Sequence, residues 1–149
     1  MDLDAFTLFE RHINPGLAGL LRFTGLDRVE SHAEGPYVWD TQGKRYLDFL
    51  GLYGTLNLGH RHPKVVEAVK RQLDRMPMSV RVLVSEPTAR LAAKLAEITP
   101  EGLEMVFFGN SGAEAVEAAI KLARAYTGKP GIVTTQGGFH GKTMGALSL

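Results

Sequence analysis

The sequence predicts an α/β fold in which a mainly parallel sheet packs against helices. Two short apolar runs, residues 104–108 and 131–135, have the length of single buried strands, and the second is rich in β-branched residues. Segments with helical spacing of apolar residues surround these runs, at residues 63–76, 87–98 and 111–128. Strands that alternate with helices in this way are typical of a parallel sheet.

The N-terminal part of the sequence predicts two short helices and then a small antiparallel meander. A helix is expected over residues 3–12 and a second helical segment over 17–23, with a break at 14–16. The strands of the meander and the turns between them follow in alternation, at residues 29–32, 34–36, 37–40, 42–43 and 45–49. The first long helix then starts at Pro63, and its apolar face comprises Val65, Val66, Val69 and Leu73.

The segment after the first apolar run has the pattern of an anion site. Gly109 and Asn110 supply turn chemistry, Ser111 is placed as a helix N-cap, and Glu114 three residues later completes a capping box. Gly112 has no side chain, so a ligand can approach the backbone closely. The free N–H groups and the positive dipole end of a helix start attract anions. By itself, the same pattern is equally consistent with a helix start that binds nothing.

A glycine-rich loop follows the second apolar run, at residues 136–143. Its Gly-Lys-Thr ending resembles a phosphate-binding P-loop, but Gln136 stands where that motif needs its first glycine. We expect the glycines instead to hold Phe139 and His140 towards the carboxyl edge of the sheet, where ligands bind in open α/β folds. The alternative is that Phe139 is a core aromatic residue and His140 a polar residue with an internal partner.

Composition and charge exclude several classes of protein. The formal net charge is +1, from 17 basic and 16 acidic residues, which gives no basic patch for nucleic acid. No apolar run is long enough to span a membrane, and the first residues lack the basic start of a signal peptide. Cysteine is absent, which excludes disulfides and thiol catalysis. We therefore expect a cytoplasmic protein that binds neither nucleic acid nor membranes.

His60 and His62 are spaced so that they could face one ligand from a strand. No third ligand cluster accompanies them, so the sequence predicts no metal site. We expect these histidines to act in the turn that leads into the first long helix.

Four segments together resemble the class III aminotransferases of the ornithine, acetylornithine and putrescine type. They read DTQGKRYLD at residues 40–48, NLGHRHP at 57–63, NSGAEAVEAAIKLAR at 110–124 and GFHGKT at 138–143. The resemblance extends from about residue 27 to the last residue of the sequence, with the segments in the family's order. It implies a pyridoxal-phosphate enzyme of fold type I.

The resemblance also implies roles for individual residues. Ser111, Gly112 and Ala113 match the segment that holds the phosphate of pyridoxal 5'-phosphate, and Phe139 matches the aromatic residue that stacks on the pyridine ring. We include His140 in the cofactor segment. Tyr53 falls where several relatives place a residue of the substrate pocket, although a core tyrosine is an equal alternative.

The family's Schiff-base lysine and its pyridine-binding carboxylate fall beyond residue 149, and no lysine here matches that context. We therefore expect an incomplete N-terminal part of the family's chain, with no catalytic residue of its own. Residues 1–60 would form the N-terminal arm and meander, as part of a small domain, and residues 61–149 the beginning of a large cofactor-binding domain.

The implied reaction moves an amino group from an amine or ω-amino acid to a 2-oxo acid, in a homodimer. Two alternatives stay open at this point. One is a sister enzyme of the same fold, such as an aminomutase, decarboxylase or racemase. The other is a non-catalytic remnant.

Overall fold

The computed structural model describes residues 4–149, and these form two compact units that divide between Met78 and Ser79. The predicted start of the first helix, at residue 3, lies outside the described residues. The predicted assignment of residues 1–60 to a small domain and of 61–149 to a large one stays a prediction.

The first unit begins with a pair of packed helices, α1 (Ala5–His12) and α2 (Pro15–Thr24). Asp4 caps α1 by accepting the Thr7 N–H, and Asn14 caps α2 by accepting the Leu17 N–H at 2.9 Å. The predicted break at 14–16 is therefore too long. Pro15 opens α2, because a proline at the first helical position gives up no helical hydrogen bond.

The predicted meander is present as an antiparallel sheet in the order β1 (Glu30–Glu34), β2 (Tyr37–Asp40) and β3 (Arg45–Leu47). Asp40, which is buried, closes its second turn by accepting the Gln42 and Lys44 N–H groups at 2.9 Å and the Tyr46 hydroxyl at 2.8 Å.

Both ends of the following loop, residues 48–60, are fastened to the turn between β1 and β2. The Asp48 N–H donates to the Pro36 carbonyl at 2.8 Å, and His60 exchanges two backbone hydrogen bonds with Gly35. A Cβ on Gly59 would stand 2.9 Å from the Gly35 carbonyl oxygen, and Gly59 has a φ of +77°. Only glycine satisfies both conditions, so Gly59 permits the close approach.

A left-handed turn lies inside this loop, at the short element α3 (Gly51–Gly54). Leu52 and Tyr53 have φ/ψ angles of 49/54° and 55/37°, between two glycines that also have positive φ. Left-handed backbone costs a residue with a side chain about 1–2 kcal/mol. Two such residues in succession therefore need support from the surrounding loop.

The first unit ends with α4 (Pro63–Arg75), one residue shorter than predicted. Of its predicted apolar face, Val66 is half-buried, whereas Val65, Val69 and Leu73 stay about half exposed within the described residues.

The second unit contains three helices, α5 (Glu86–Ile98), α6 (Gly112–Thr127) and the short α7 (Met144–Leu147). The two predicted strands are wrong as elements of this structure: residues 104–108 and 131–135 belong to no strand. A strand exists through ladder hydrogen bonds with a neighbour, and neither run has such a neighbour among residues 4–149. Their side chains are correspondingly open, and Val133 is 99% exposed.

Helices α6 and α7 pack on each other through one carboxylate. Glu117 accepts the Gly145 N–H at 2.8 Å and the Ala146 N–H at 3.3 Å, so a side chain of α6 caps the start of α7. Ile120 and Ala146 are buried, and a Cβ on Gly145 would collide with the Glu117 carboxylate. The Thr143 hydroxyl first, and the Gly145 N–H next, hold the pKa of Glu117 below its ordinary value.

Gly59→Ala should destabilise the protein by about 1–3 kcal/mol, because the new methyl group meets the Gly35 carbonyl and the backbone stays left-handed. Gly19→Ala is the matched control. Gly19 lies inside α2, and a methyl group added there would meet no atom within 4 Å beyond its neighbours and the helix backbone, so alanine should stabilise the helix by about 0.5–1 kcal/mol. Urea denaturation of both variants measures the difference, and equal effects would contradict the close approach at Gly59.

Glu117→Gln should flatten the response of stability to acid. Because the folded pKa of Glu117 is lowered, its ionised form stabilises the fold fully above about pH 4.5, and this stabilisation disappears as the pH falls through the folded pKa. The melting temperature of the wild type should therefore fall more steeply between about pH 6 and about pH 3 than that of the variant. The control Glu97→Gln, which removes an exposed carboxylate of α5, should keep the wild-type slope. If the melting temperatures of the wild type and of Glu117→Gln change with pH in the same way, Glu117 does not act as the charged cap of α7.

Candidate functional site

Helix α6 begins after Ser111, as the sequence predicts. Ser111 is the N-cap, and its Oγ accepts the Glu114 N–H at 3.2 Å. Among the described residues, no acceptor takes the N–H groups of Gly112 and Ala113. These two donors and the positive dipole end of the helix therefore face the same space.

The capping box has a different partner from the one predicted. Glu114 accepts the N–H of Asn110, one residue before the cap, and not that of Ser111. The carboxylate thus fixes the turn that leads into α6.

The loop before α7 closes on this helix start. Gly141 is buried with a φ of +130°, and a Cβ there would stand 2.6 Å from the Ala113 Cβ. Any side chain at position 141 would push the loop away from α6. The predicted glycine-rich loop and the predicted anion site are therefore brought together, and the contact between Gly141 and Ala113 is where they meet.

The side of the helix start beside Gly112 is open. Apart from the neighbouring residues and the backbone of α6 itself, no atom lies within 4 Å of the position that a Cβ of Gly112 would occupy. A phosphate placed there can accept the unused backbone N–H groups and can also bind the Ser111 hydroxyl, which is exposed. The cradle is therefore built from backbone donors and one hydroxyl.

Phe139 and His140 sit differently in the closing loop. The Phe139 side chain is 75% exposed among the described residues, and its contact with the pyridine ring stays a prediction. The His140 ring is half-buried, with Nε2 2.8 Å from Thr134 Oγ1. One ring nitrogen of His140 is thus used inside the chain, and its role in cofactor binding stays a prediction.

Tyr53 belongs to the first unit, whereas Ser111 and Phe139 belong to the second. Its side chain is 84% exposed among the described residues, and its place in the substrate pocket stays a prediction. The left-handed turn of α3 presents it.

Two carboxylates that hold these loops, Glu117 and Asp48, were not among the predicted site residues. Glu117 lies four residues after Ala113 and three before Ile120, so it interrupts the buried stripe of α6, and a charge in an apolar stripe is a usable signal. Asp48 binds the His60 ring and the backbone of the next residues. In the sequence, only its position shortly before Gly51 points to a role for Asp48, because an aspartate followed by a glycine is typical of a turn.

Within residues 4–149, no group of three or more histidines and carboxylates could hold a metal ion. None of the helices that the structure describes has the length and apolar character required to cross a membrane.

Curated aminotransferases are similar to this chain in sequence. The putrescine aminotransferase of Pectobacterium atrosepticum is 44% identical over 156 residues, an alignment that covers 99% of this chain and 33% of that protein. The acetylornithine aminotransferase of Methanopyrus kandleri is 50% identical over 115 residues, which cover 77% of this chain and 30% of that protein. The chain therefore spans about a third of the length of the curated relatives that it matches.

A solved structure agrees. The taurine:2-oxoglutarate aminotransferase from Bifidobacterium kashiwanohense, determined in complex with PLP and glutamate, superposes with a TM-score of 0.77 at 42% identity. The superposition covers 80% of this chain and 27% of that one. The predicted fold class is confirmed, because this neighbour is a PLP-dependent transaminase and the described residues form part of that fold. A model of the family described as Aminotransferase class-III matches residues 25–149, and the chain belongs to this family.

Proposed function

We propose that this chain is the N-terminal part of an aminotransferase that binds pyridoxal 5'-phosphate and moves an amino group from an amine or ω-amino acid to a 2-oxo acid. The observation that carries the proposal is the helix start of α6, with two unused N–H groups, closed by a loop that presents an exposed Phe139. Membership of the class-III family supports the reaction class.

The residues divide the binding of the cofactor between them. The Gly112 and Ala113 N–H groups and the Ser111 hydroxyl would hold the phosphate, and the exposed face of Phe139 would lie against the ring. Glu117 and Gly141 keep these two parts together, because the first caps α7 and the second allows the loop to touch Ala113. Bound pyridoxal phosphate supplies an electron sink for the chemistry at the substrate carbon.

The other functional groups are proposed to come from outside these residues. A lysine that binds the cofactor covalently and a carboxylate for the ring nitrogen complete the chemistry of such enzymes. We propose a cytoplasmic homodimer as the active form, with residues 1–60 in a small domain and 61–149 in a large one. Tyr53 would line the pocket of the amino donor, and His140 would take part in the cofactor site.

Turnover by the protein expressed from its full natural coding sequence tests the proposal. We expect transfer of the amino group from a diamine or ω-amino acid to a 2-oxo acid, followed as formation of the product amino acid, together with the absorbance of bound pyridoxal phosphate. The intact mass of the same protein decides whether residues beyond 149 are present. Cofactor binding with a decarboxylated or isomerised product would identify a sister reaction and contradict the aminotransferase.

Ser111→Ala should weaken cofactor binding by roughly tenfold, because a hydrogen bond to a charged group is lost. The same change removes the cap of α6 and should lower the free energy of unfolding by about 1 kcal/mol. Ser85→Ala is the matched control: Ser85 is the N-cap residue of α5, and its side chain accepts no backbone N–H. Titration of the apoprotein with pyridoxal phosphate gives both dissociation constants. If Ser111→Ala and Ser85→Ala bind the cofactor equally, the assignment of Ser111 to the phosphate is wrong.

A further inference from the structure

The side chain of Asp48 holds the start of the left-handed turn in α3. Its Oδ1 accepts the N–H groups of both Leu50 and Gly51, each at 2.9 Å. These are the two residues that lead into Leu52 and Tyr53. A single carboxylate oxygen therefore fixes the direction in which the chain enters the turn.

The other oxygen of Asp48 binds the far end of the same loop. Its Oδ2 lies 2.7 Å from His60 Nε2, and the two side chains are only 17% and 20% exposed. His60 is itself fastened by two backbone hydrogen bonds to Gly35. The Gly51 N–H first, and the His60 ring next, lower the pKa of Asp48, so the carboxylate is ionised near neutral pH.

The loop therefore contains both the strained residues and the hydrogen bonds that support them. Leu52 and Tyr53 both have the positive φ that side chains disfavour, and neither is buried. Packing of their side chains therefore does little to stabilise that conformation. The bonds made by Asp48 lie directly before the turn. Strained backbone that is held by such contacts is found most often at ligand sites.

We infer that Asp48 and His60 form a positioning pair, which holds the left-handed turn and thereby sets the place of the Tyr53 ring in the pocket for the amino donor. The inference rests on the proposed function, which gives Tyr53 its place in that pocket. Neither Asp48 nor His60 touches the substrate in this scheme. They act through Tyr53, on binding of the donor and not on the chemical step.

Hydrogen–deuterium exchange of the full natural protein with its cofactor tests the hold on the turn. Asp48→Ala should raise exchange of the Leu50 and Gly51 amides by roughly tenfold, because both lose their acceptor, and His60→Gln should raise it by roughly threefold. His12→Gln, at the exposed end of α1, is the matched control and should leave it unchanged. Unchanged exchange in Asp48→Ala and His60→Gln overturns the inference.

Kinetics test the link to Tyr53. Asp48→Ala and His60→Gln should each raise KM for the amino donor by roughly fivefold and change kcat less than twofold, with an unchanged cofactor absorbance. Tyr53→Ala should also raise KM, and adding Asp48→Ala to it should raise KM no further, because the pair acts through that ring. Additive effects on KM, or a loss confined to kcat, overturn the inference.

The two arms separate this inference from the proposed function. If the wild type shows no amino transfer, the proposed function fails, and exchange alone decides whether the pair holds the turn. If Tyr53→Ala leaves KM unchanged while Asp48→Ala still raises exchange, the substrate role of Tyr53 is overturned and the hold on the turn is supported.

Discussion

The second unit depends on the contact between Gly141 and Ala113. The start of a helix offers N–H donors on its own, but it does not enclose a ligand. Enclosure requires another segment to approach, and here the approach is so close that a methyl group would meet the Ala113 Cβ at 2.6 Å. The loop that carries Phe139 can approach the start of α6 because position 141 has no side chain.

Carboxylates that accept backbone N–H groups hold turns and a helix start in both units. Asp40 closes the turn of the meander, Asp48 holds the entry to α3, and Glu117 caps α7. Because an ionised acceptor makes a stronger hydrogen bond than a neutral one, the ionised form of these acids contributes to the shape of these loops.

The helices could be predicted from local sequence patterns, whereas contacts between residues far apart in the sequence could not. The helix predicted at residues 111–128 is present as α6, with Ser111 as its N-cap and the left-handed Gly128 as its C-cap, because caps act within a few residues. The runs at 104–108 and 131–135 have strand composition, but a strand also needs a neighbour, which no local pattern supplies. The bond from Glu117 to Gly145 joins residues 28 positions apart, and that from Asp48 to His60 joins residues 12 apart. The helix start at Ser111 could be predicted because its capping chemistry lies in the local sequence.

If Tyr53 contacts the amino donor as proposed, stability and recognition make opposite demands on that position. Glycine and asparagine adopt the backbone of Tyr53 more readily than an aromatic residue does. A search for more stable variants would therefore favour replacing Tyr53, and each replacement would delete the ring that the loop presents to solvent. Engineering of this protein for heat resistance should leave residues 51–54 alone and draw its gains from the helices.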